Sequence, residues 1–254
     1  MDPVVLATLL IVVFFSNVYG SSVGGGGLLV IPAMFLAGIP TSIVVGTNRF
    51  YRIFASGAGA LKFMKEVKVD LKNIILYASL SVIGSVAGAL IVISLDKSIL
   101  KLVISIALLF LAVFFLLKKD LGLKEQKQEA IKQNLVASSA VMILLGIYRS
   151  IIGSATGTFL RMYFLIKEKL TFLQAATYSG VIATISNISA SLVFINAGII
   201  DYWIAAYMII AGVIGSYIGA RLAIKKGNTF VRKLFLIVVI LSSLKLIGGI
   251  LFGI

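Results

Sequence analysis

Ser81-Val82-Ile83-Gly84-Ser85-Val86-Ala87-Gly88-Ala89 reads against Gly212-Val213-Ile214-Gly215-Ser216-Tyr217-Ile218-Gly219-Ala220. The two stretches stand 131 residues apart, and the same offset pairs Asp70 with Asp201, Phe63 with Phe194 and Gly26 with Gly157. No gap is needed through this region, which points to a duplicated unit and away from chance likeness between apolar runs. The expected domain plan is a first transmembrane repeat at 1–118, a cytoplasmic linker at 119–132 and a second transmembrane repeat at 133–254.

What each unit is made of follows from composition. Of the 254 residues, 60% are hydrophobic and 13% charged, and mean hydropathy is +1.13. A soluble domain carries roughly 25% charged residues, and its helices need polar faces that few segments here possess. A membrane barrel would alternate polar and apolar residues over segments of about ten; 104–117 and 234–241 are unbroken apolar runs instead. The expected fold is therefore all-α and polytopic, with the lipid bilayer as its solvent. The start, Met1-Asp2-Pro3-Val4, lacks the basic region of a cleavable signal peptide, so the first apolar segment is expected to belong to the mature protein.

Charges, Gly and Pro divide the chain into ten apolar segments: 4–19, 23–37, 43–61, 74–93 and 99–117, then 135–150, 155–166, 173–195, 203–224 and 230–252. A full span needs about 20 residues. The second and seventh are short, so eight full spans plus two short or broken segments fit equally well. Five segments per half is an odd number, which inserts the second copy upside down and makes an inverted-topology repeat. Basic residues give an independent check. With 62–72 placed in the cytoplasm, alternation also places 118–132, 167–169 and 221–233 there, and these four loops hold sixteen of the 23 Lys and Arg. Lys97, Lys101 and Arg149 fall on the other side. Positive-inside orientation then predicts a multi-pass protein of the cell membrane with both termini outside the cytoplasm. The formal charge of +14 reports this orientation, and no nucleic-acid partner is expected.

Several chemistries are missing from the sequence. It has no Cys and no His, which removes disulfides, thiolate and imidazole metal sites, and His- or Cys-based catalysis. None of the nine acids falls inside a predicted span. No cofactor or metal is called for, and an enzyme is left only Ser/Lys chemistry as a remote alternative. Cations, by contrast, do fall within spans: Arg49, Arg52, Arg161 and Lys245, with Arg149 near a span end. A charge at a helix centre in lipid costs at least about 2.5–3.5 kcal/mol, so it needs a partner or a watery cavity. With no acid at that depth, the partner is expected to be an anion from solution.

Arg49 and Arg52 share one helix face, and Thr47, Asn48 and Ser56 extend its polarity. Snorkelling toward an interface is the competing account for these arginines, and it is the preferred one for Lys245. The run Gly24, Gly25, Gly26, Gly27 suits unwound backbone, where bare N–H groups at a helix start favour anions. Its counterpart, Ser154-Ala155-Thr156-Gly157-Thr158, is rich in hydroxyls. Interrupted segments at corresponding positions of two halves are a pointer to a transporter site. Ser186 and Asn187 either line a cavity or bond between helices. Gly84-x-x-x-Gly88 and Gly215-x-x-x-Gly219 read as helix-packing motifs.

These residues also carry a family resemblance. The glycine run followed by Leu28-Leu29-Val30-Ile31-Pro32, then Val45-Gly46-Thr47-Asn48-Arg49, resembles the sulfite exporter TauE/SafE family of membrane transporters. Gln174-Ala175-Ala176-Thr177, Ser186-Asn187 through Leu192-Val193-Phe194, and Ile214-Gly215 through Gly219-Ala220-Arg221 continue the likeness over nearly the whole chain. The second copy departs from the first, with Gly180 in register with Arg49 and only Gly157 kept from the glycine run. The resemblance implies a small anionic sulfur-containing substrate, such as sulfite, thiosulfate or an organosulfonate. The expected mechanism is alternating access around an Arg-centred midplane site; an anion-selective channel on the same residues is the alternative. A homodimer is left open.

Overall fold

The computed structural model describes residues 1–96, 98–100, 102–104, 106, 135–153 and 155–252, and the side chains of these except 23, 135–137 and 228–252. The expected linker at 119–132, most of the segment 99–117, Ser154 and the side chain of Lys245 lie outside what is described. Among the described residues all regular structure is helical. The elements are α1 (Pro3–Val23), α2 (Gly27–Leu36), α3 (Thr41–Glu66), α4 (Leu71–Ser94), α5 (Leu135–Ile151), α6 (Thr156–Ile166), α7 (Phe172–Asn196) and α8 (Tyr202–Phe252). α8 breaks at Gly227, where φ is 74°.

Helix starts are written locally. Asp2 accepts N–H bonds from Val4 and Val5, with Pro3 in the first turn. Asp70 caps α4 through the N–H groups of Lys72 and Asn73, and Asp201 accepts from the Ile204 N–H at the start of α8. Thr171 and Gln174 form a capping box on α7. Each such bond satisfies an N–H that the helix itself leaves without a partner.

Among the described residues, four stretches are long and apolar enough to cross a membrane: Pro3–Ser22, Leu71–Ser94, Phe172–Asn196 and Tyr202–Gly227. α3 has 26 residues, about 39 Å at 1.5 Å per residue, but Asn48, Arg49, Arg52 and Ser56 interrupt its apolar character. α2 and α6 have 10 and 11 residues, about 15 and 17 Å, too short for a hydrocarbon core of about 30 Å.

α3 and α7 run antiparallel through the middle. The Ser56 and Thr184 hydroxyls bond at 3.0 Å, and a Cβ at Gly180 would lie 3.3 Å from Ala60 Cβ. α1 packs along α8, and α5 along α4, at places where glycine lets backbones touch. Gly215 and Gly219 abut the carbonyls of Phe14 and Val18; Gly84 and Gly88 abut those of Ile143 and Ile147.

The two ends of the molecule differ in charge. At one end Gln174 donates to the Lys68 carbonyl at 3.3 Å and Tyr178 to the Asp70 carbonyl at 3.2 Å. Phe63, Ala176, Ala220 and Ala223 cluster there. Lys62, Lys65, Lys68, Lys72, Lys167, Lys169, Arg221, Lys225 and Lys226 stand at or near this end. At the other end the Asp201 N–H donates to Thr47 Oγ1 at 2.9 Å, and neither 37–40 nor 197–201 carries a Lys or Arg.

Candidate functional site

The turn between α1 and α2 and the turn between α5 and α6 meet inside the molecule. Gly24 and Gly25 have φ of 89° and 79°, and Gly153 and Ala155 have 73° and 58°. At Gly24 the need for glycine is double: a Cβ would carry left-handed strain and would lie 2.7 Å from the Thr158 nitrogen. The glycine run thus serves as a point of contact between the two halves of the chain.

Beside this meeting point lies a cavity of about 600 Å³ counted with its open mouth, lined by residues from both halves. α1 contributes Asn17, Gly20 and Ser21; α3 contributes Arg52, Ser56, Gly59 and Phe63; α7 contributes Ser179 and Gly180; α8 contributes Ser216. Gly24, Gly25, Gly27, Arg149, Gly153, Ala155, Gly157 and Arg161 line the part near the turns, and none of the described lining residues carries a carboxylate. The N-termini of α2 and α6 both border it, and helix starts of this kind favour anions.

Three arginines face one space in different surroundings. Arg52 is half-buried; its Nη1 donates to the Tyr51 hydroxyl at 3.3 Å and its Cζ lies 6.0 Å from the centre of that ring. The Ser56 hydroxyl donates to the Arg52 carbonyl. Arg149 is 4% exposed, with Nε and Nη2 lacking any partner among the described residues. Sequence topology counted it with the loop cations of the outer side; the structure buries it because α5 ends inside the molecule. Arg161 is tied down instead. Its Nε donates to Ser179 Oγ at 3.0 Å, and its Nη2 donates to the carbonyls of Ser21 at 2.7 Å and Gly20 at 3.2 Å. These carbonyls belong to the last turn of α1, where a cation satisfies groups the helix leaves open.

The remaining expected residues divide. Arg49 is not in the lining: it is 1% exposed and its guanidinium lies against Gly153, with Nε and Nη2 unpartnered among the described residues. Asn48 and Asn187 are fully buried, each with both amide atoms unpartnered among the described residues. Thr47 is not among the lining residues, and its hydroxyl accepts from the Asp201 N–H. Ser186 bonds Ser81 at 2.8 Å between helices. Thr156 donates to the Gly153 carbonyl at 3.4 Å, and Thr158 packs on Gly25. Gly26 packs on the Ser16 carbonyl.

Sequence reasoning missed Asn17, Ser179 and Ser216. Asn17 is an isolated amide in an apolar run, and Ser216 is the repeat partner of Ser85; either signal could have pointed to the site. The described residues hold one ion pair, Lys62–Glu66 at 3.0 Å near the surface, and no acid among them pairs with a cavity arginine. Guanidiniums and helix N-termini around a space without carboxylates can bind a small oxyanion through charge-assisted, bidentate bonds.

Comparison with known proteins gives one consistent answer. A curated relative, a probable membrane transporter protein (ORF9) of a Sinorhizobium species, is 30% identical over 243 residues, covering 96% of this chain and 92% of its own. A probable membrane transporter protein of Haemophilus influenzae is 26% identical, with 95% and 94% covered. The probable membrane transporter protein YfcA of Escherichia coli is 27% identical, with 97% and 91% covered. No solved structure matches the chain. The family model described as sulfite exporter TauE/SafE matches residues 9–246, and on a match of that extent the chain belongs to the sulfite exporter TauE/SafE family of membrane proteins.

Proposed function

We propose that the protein carries a small sulfur-containing oxyanion (sulfite, thiosulfate or an organosulfonate) across the cell membrane by alternating access. Arg52 and Arg149 supply the charge, and the starts of α2 and α6 supply N–H groups. The observation that carries this reading is the convergence of three guanidiniums on a cavity whose described lining residues carry no carboxylate. The family's description, which names sulfite export, supports the class of anion.

An inverted repeat is part of the same proposal. Its support is that like contacts occur in both halves: Gly84 and Gly88 against Ile143 and Ile147, Gly215 and Gly219 against Phe14 and Val18. Asp70 and Asp201 also cap corresponding helices. The glycines stand 131 residues apart and their contact partners 129, so the alignment takes a two-residue gap, and Gly24 corresponds to Gly153. With the lysine-rich end in the cytoplasm, both termini lie outside.

A panel of anions on the purified protein in detergent tests the binding step. Sulfite, thiosulfate and methanesulfonate are expected to raise the unfolding temperature, and uncharged dimethyl sulfone is expected to leave it unchanged. A ligand at a hundredfold its Kd adds about 2.7 kcal/mol, a readily measured shift. No shift with any anion, at concentrations up to those limited by ionic strength, would sink the reading.

A further inference from the structure

The open cavity has an image elsewhere in the chain. Of its eleven lining residues on α3, α7 and α8, five are Ser56, Ala60, Ser179, Gly180 and Ser216. The 131-residue offset takes them in turn to Asn187, Ser191, Asn48, Arg49 and Ser85. All five image residues are at most 1% exposed. All five also hold buried side-chain polar atoms with no partner among the described residues: both amide atoms of Asn48 and Asn187, Nε and Nη2 of Arg49, and Oγ of Ser85 and Ser191.

Leaving one buried polar group unsatisfied costs about 1–3 kcal/mol, more when it is charged. Five such residues, the images of five of the eleven lining residues on α3, α7 and α8, are not explained by core packing; Arg52 and Ala183 are images of each other and both line the open cavity itself. The five are explained if the same groups are wet in another state of the protein. Position agrees with this. Because α3 and α7 run antiparallel, Ala60 and Gly180 lie toward the lysine-rich end, and Arg49 and Ser191 toward the opposite end, where the 37–40 and 197–201 loops lie. The partition between the two sets is thin at one point, where Gly153 lines the open cavity and also bears the Arg49 guanidinium.

We propose that Asn48, Arg49, Ser85, Asn187 and Ser191 line a second vestibule, closed in this structure, that opens toward the end carrying the 37–40 and 197–201 loops and admits the same small oxyanion, with Arg49 as its cation. The identity of the ligand rests on the function proposed above; the existence of the vestibule rests on the buried polar set and the repeat. Opening one vestibule and closing the other exchanges which set is solvated. This structure then represents the state open toward the lysine-rich end.

The chain has no native cysteine, so single cysteines can be placed without background. Ala60→Cys and Ser191→Cys, in sealed vesicles of both orientations, are treated with a membrane-impermeant thiol reagent. Ala60→Cys is expected to react from the side of the 67–70 loop and Ser191→Cys from the opposite side. The second reaction is expected to be about 10- to 1,000-fold slower, because minor conformers are typically populated at 0.1–10%. Asn187→Cys repeats the measurement should Ser191→Cys fail to insert. Labelling of Ser191→Cys and Asn187→Cys from the same side as Ala60→Cys, or from neither side, overturns the vestibule. Thermal-shift binding of methanesulfonate to the parent separates the two ideas. Opposite-side labelling without such binding keeps the vestibule and removes its oxyanion; binding without opposite-side labelling does the reverse.

Discussion

Arg52 and Arg161 face the same cavity, but their hydrogen bonds give them different work. Three acceptors, Ser179 Oγ and the carbonyls of Gly20 and Ser21, hold Arg161 to the end of α1. Among the described residues, the Arg52 side chain bonds only its neighbour Tyr51, and it stays half-buried. Substitutions should therefore separate them. Arg52→Gln is expected to weaken anion binding by about 2–5 kcal/mol, the usual loss for a buried charge-assisted contact, with little change in thermal stability. Arg52→Lys should keep part of the affinity, since it retains the charge and loses the planar fork. Arg161→Gln should lower the unfolding temperature even without anion. Titration calorimetry and thermal unfolding of the three variants check this; equal binding by Arg52→Gln and the parent would make Arg52 structural. The candidate cations are legible in the sequence because span and acid positions can be counted directly. The work of Arg161 is not, because two of its three acceptors lie about 140 positions away and are backbone carbonyls, which any residue supplies.

At the scale of elements, the sequence locates the helices well wherever charge, Pro or a capping residue marks their ends. Asp70, Thr171 and Asp201 stand immediately before α4, α7 and α8. The α1–α2 break is harder. The apolar pattern starts the second segment at Val23, whereas α1 runs through Val23 and α2 starts at Gly27. Only the left-handed backbone at Gly24 and Gly25, and the contact of Gly24 with Thr158, put the break there. The packing glycines allow a sharper test. A Cβ at Gly84 or Gly219 would run into the carbonyl of Ile143 or Val18, whereas one at Gly57 would meet only Thr184 Cγ2 at 3.5 Å. Gly84→Ala and Gly219→Ala are each expected to cost about 1–3 kcal/mol, as overpacked sites do. Gly57→Ala should be near neutral. Thermal or chemical unfolding in detergent measures all three, and equal stabilities would mean that α1–α8 and α4–α5 are not in this close contact.

For the whole molecule, charge asymmetry and repetition are legible in the amino-acid sequence, because both are properties of residue order alone. The meeting of two turns inside the protein is not, since it depends on α2 and α6 being half-length helices that fold back. That arrangement creates a cavity with walls from both halves of the chain and arginines from α3, α5 and α6. The central claim is that a small oxyanion crosses through this cavity by being bound there. Counterflow in proteoliposomes tests it most directly: vesicles loaded with unlabelled methanesulfonate are diluted into a trace of the labelled anion. The account predicts uptake that saturates with outside anion, is accelerated by anion inside, and is lost in Arg52→Gln protein that inserts normally. Flux that rises in proportion to concentration and ignores the anion inside, or Arg52→Gln flux equal to that of the parent, would contradict it.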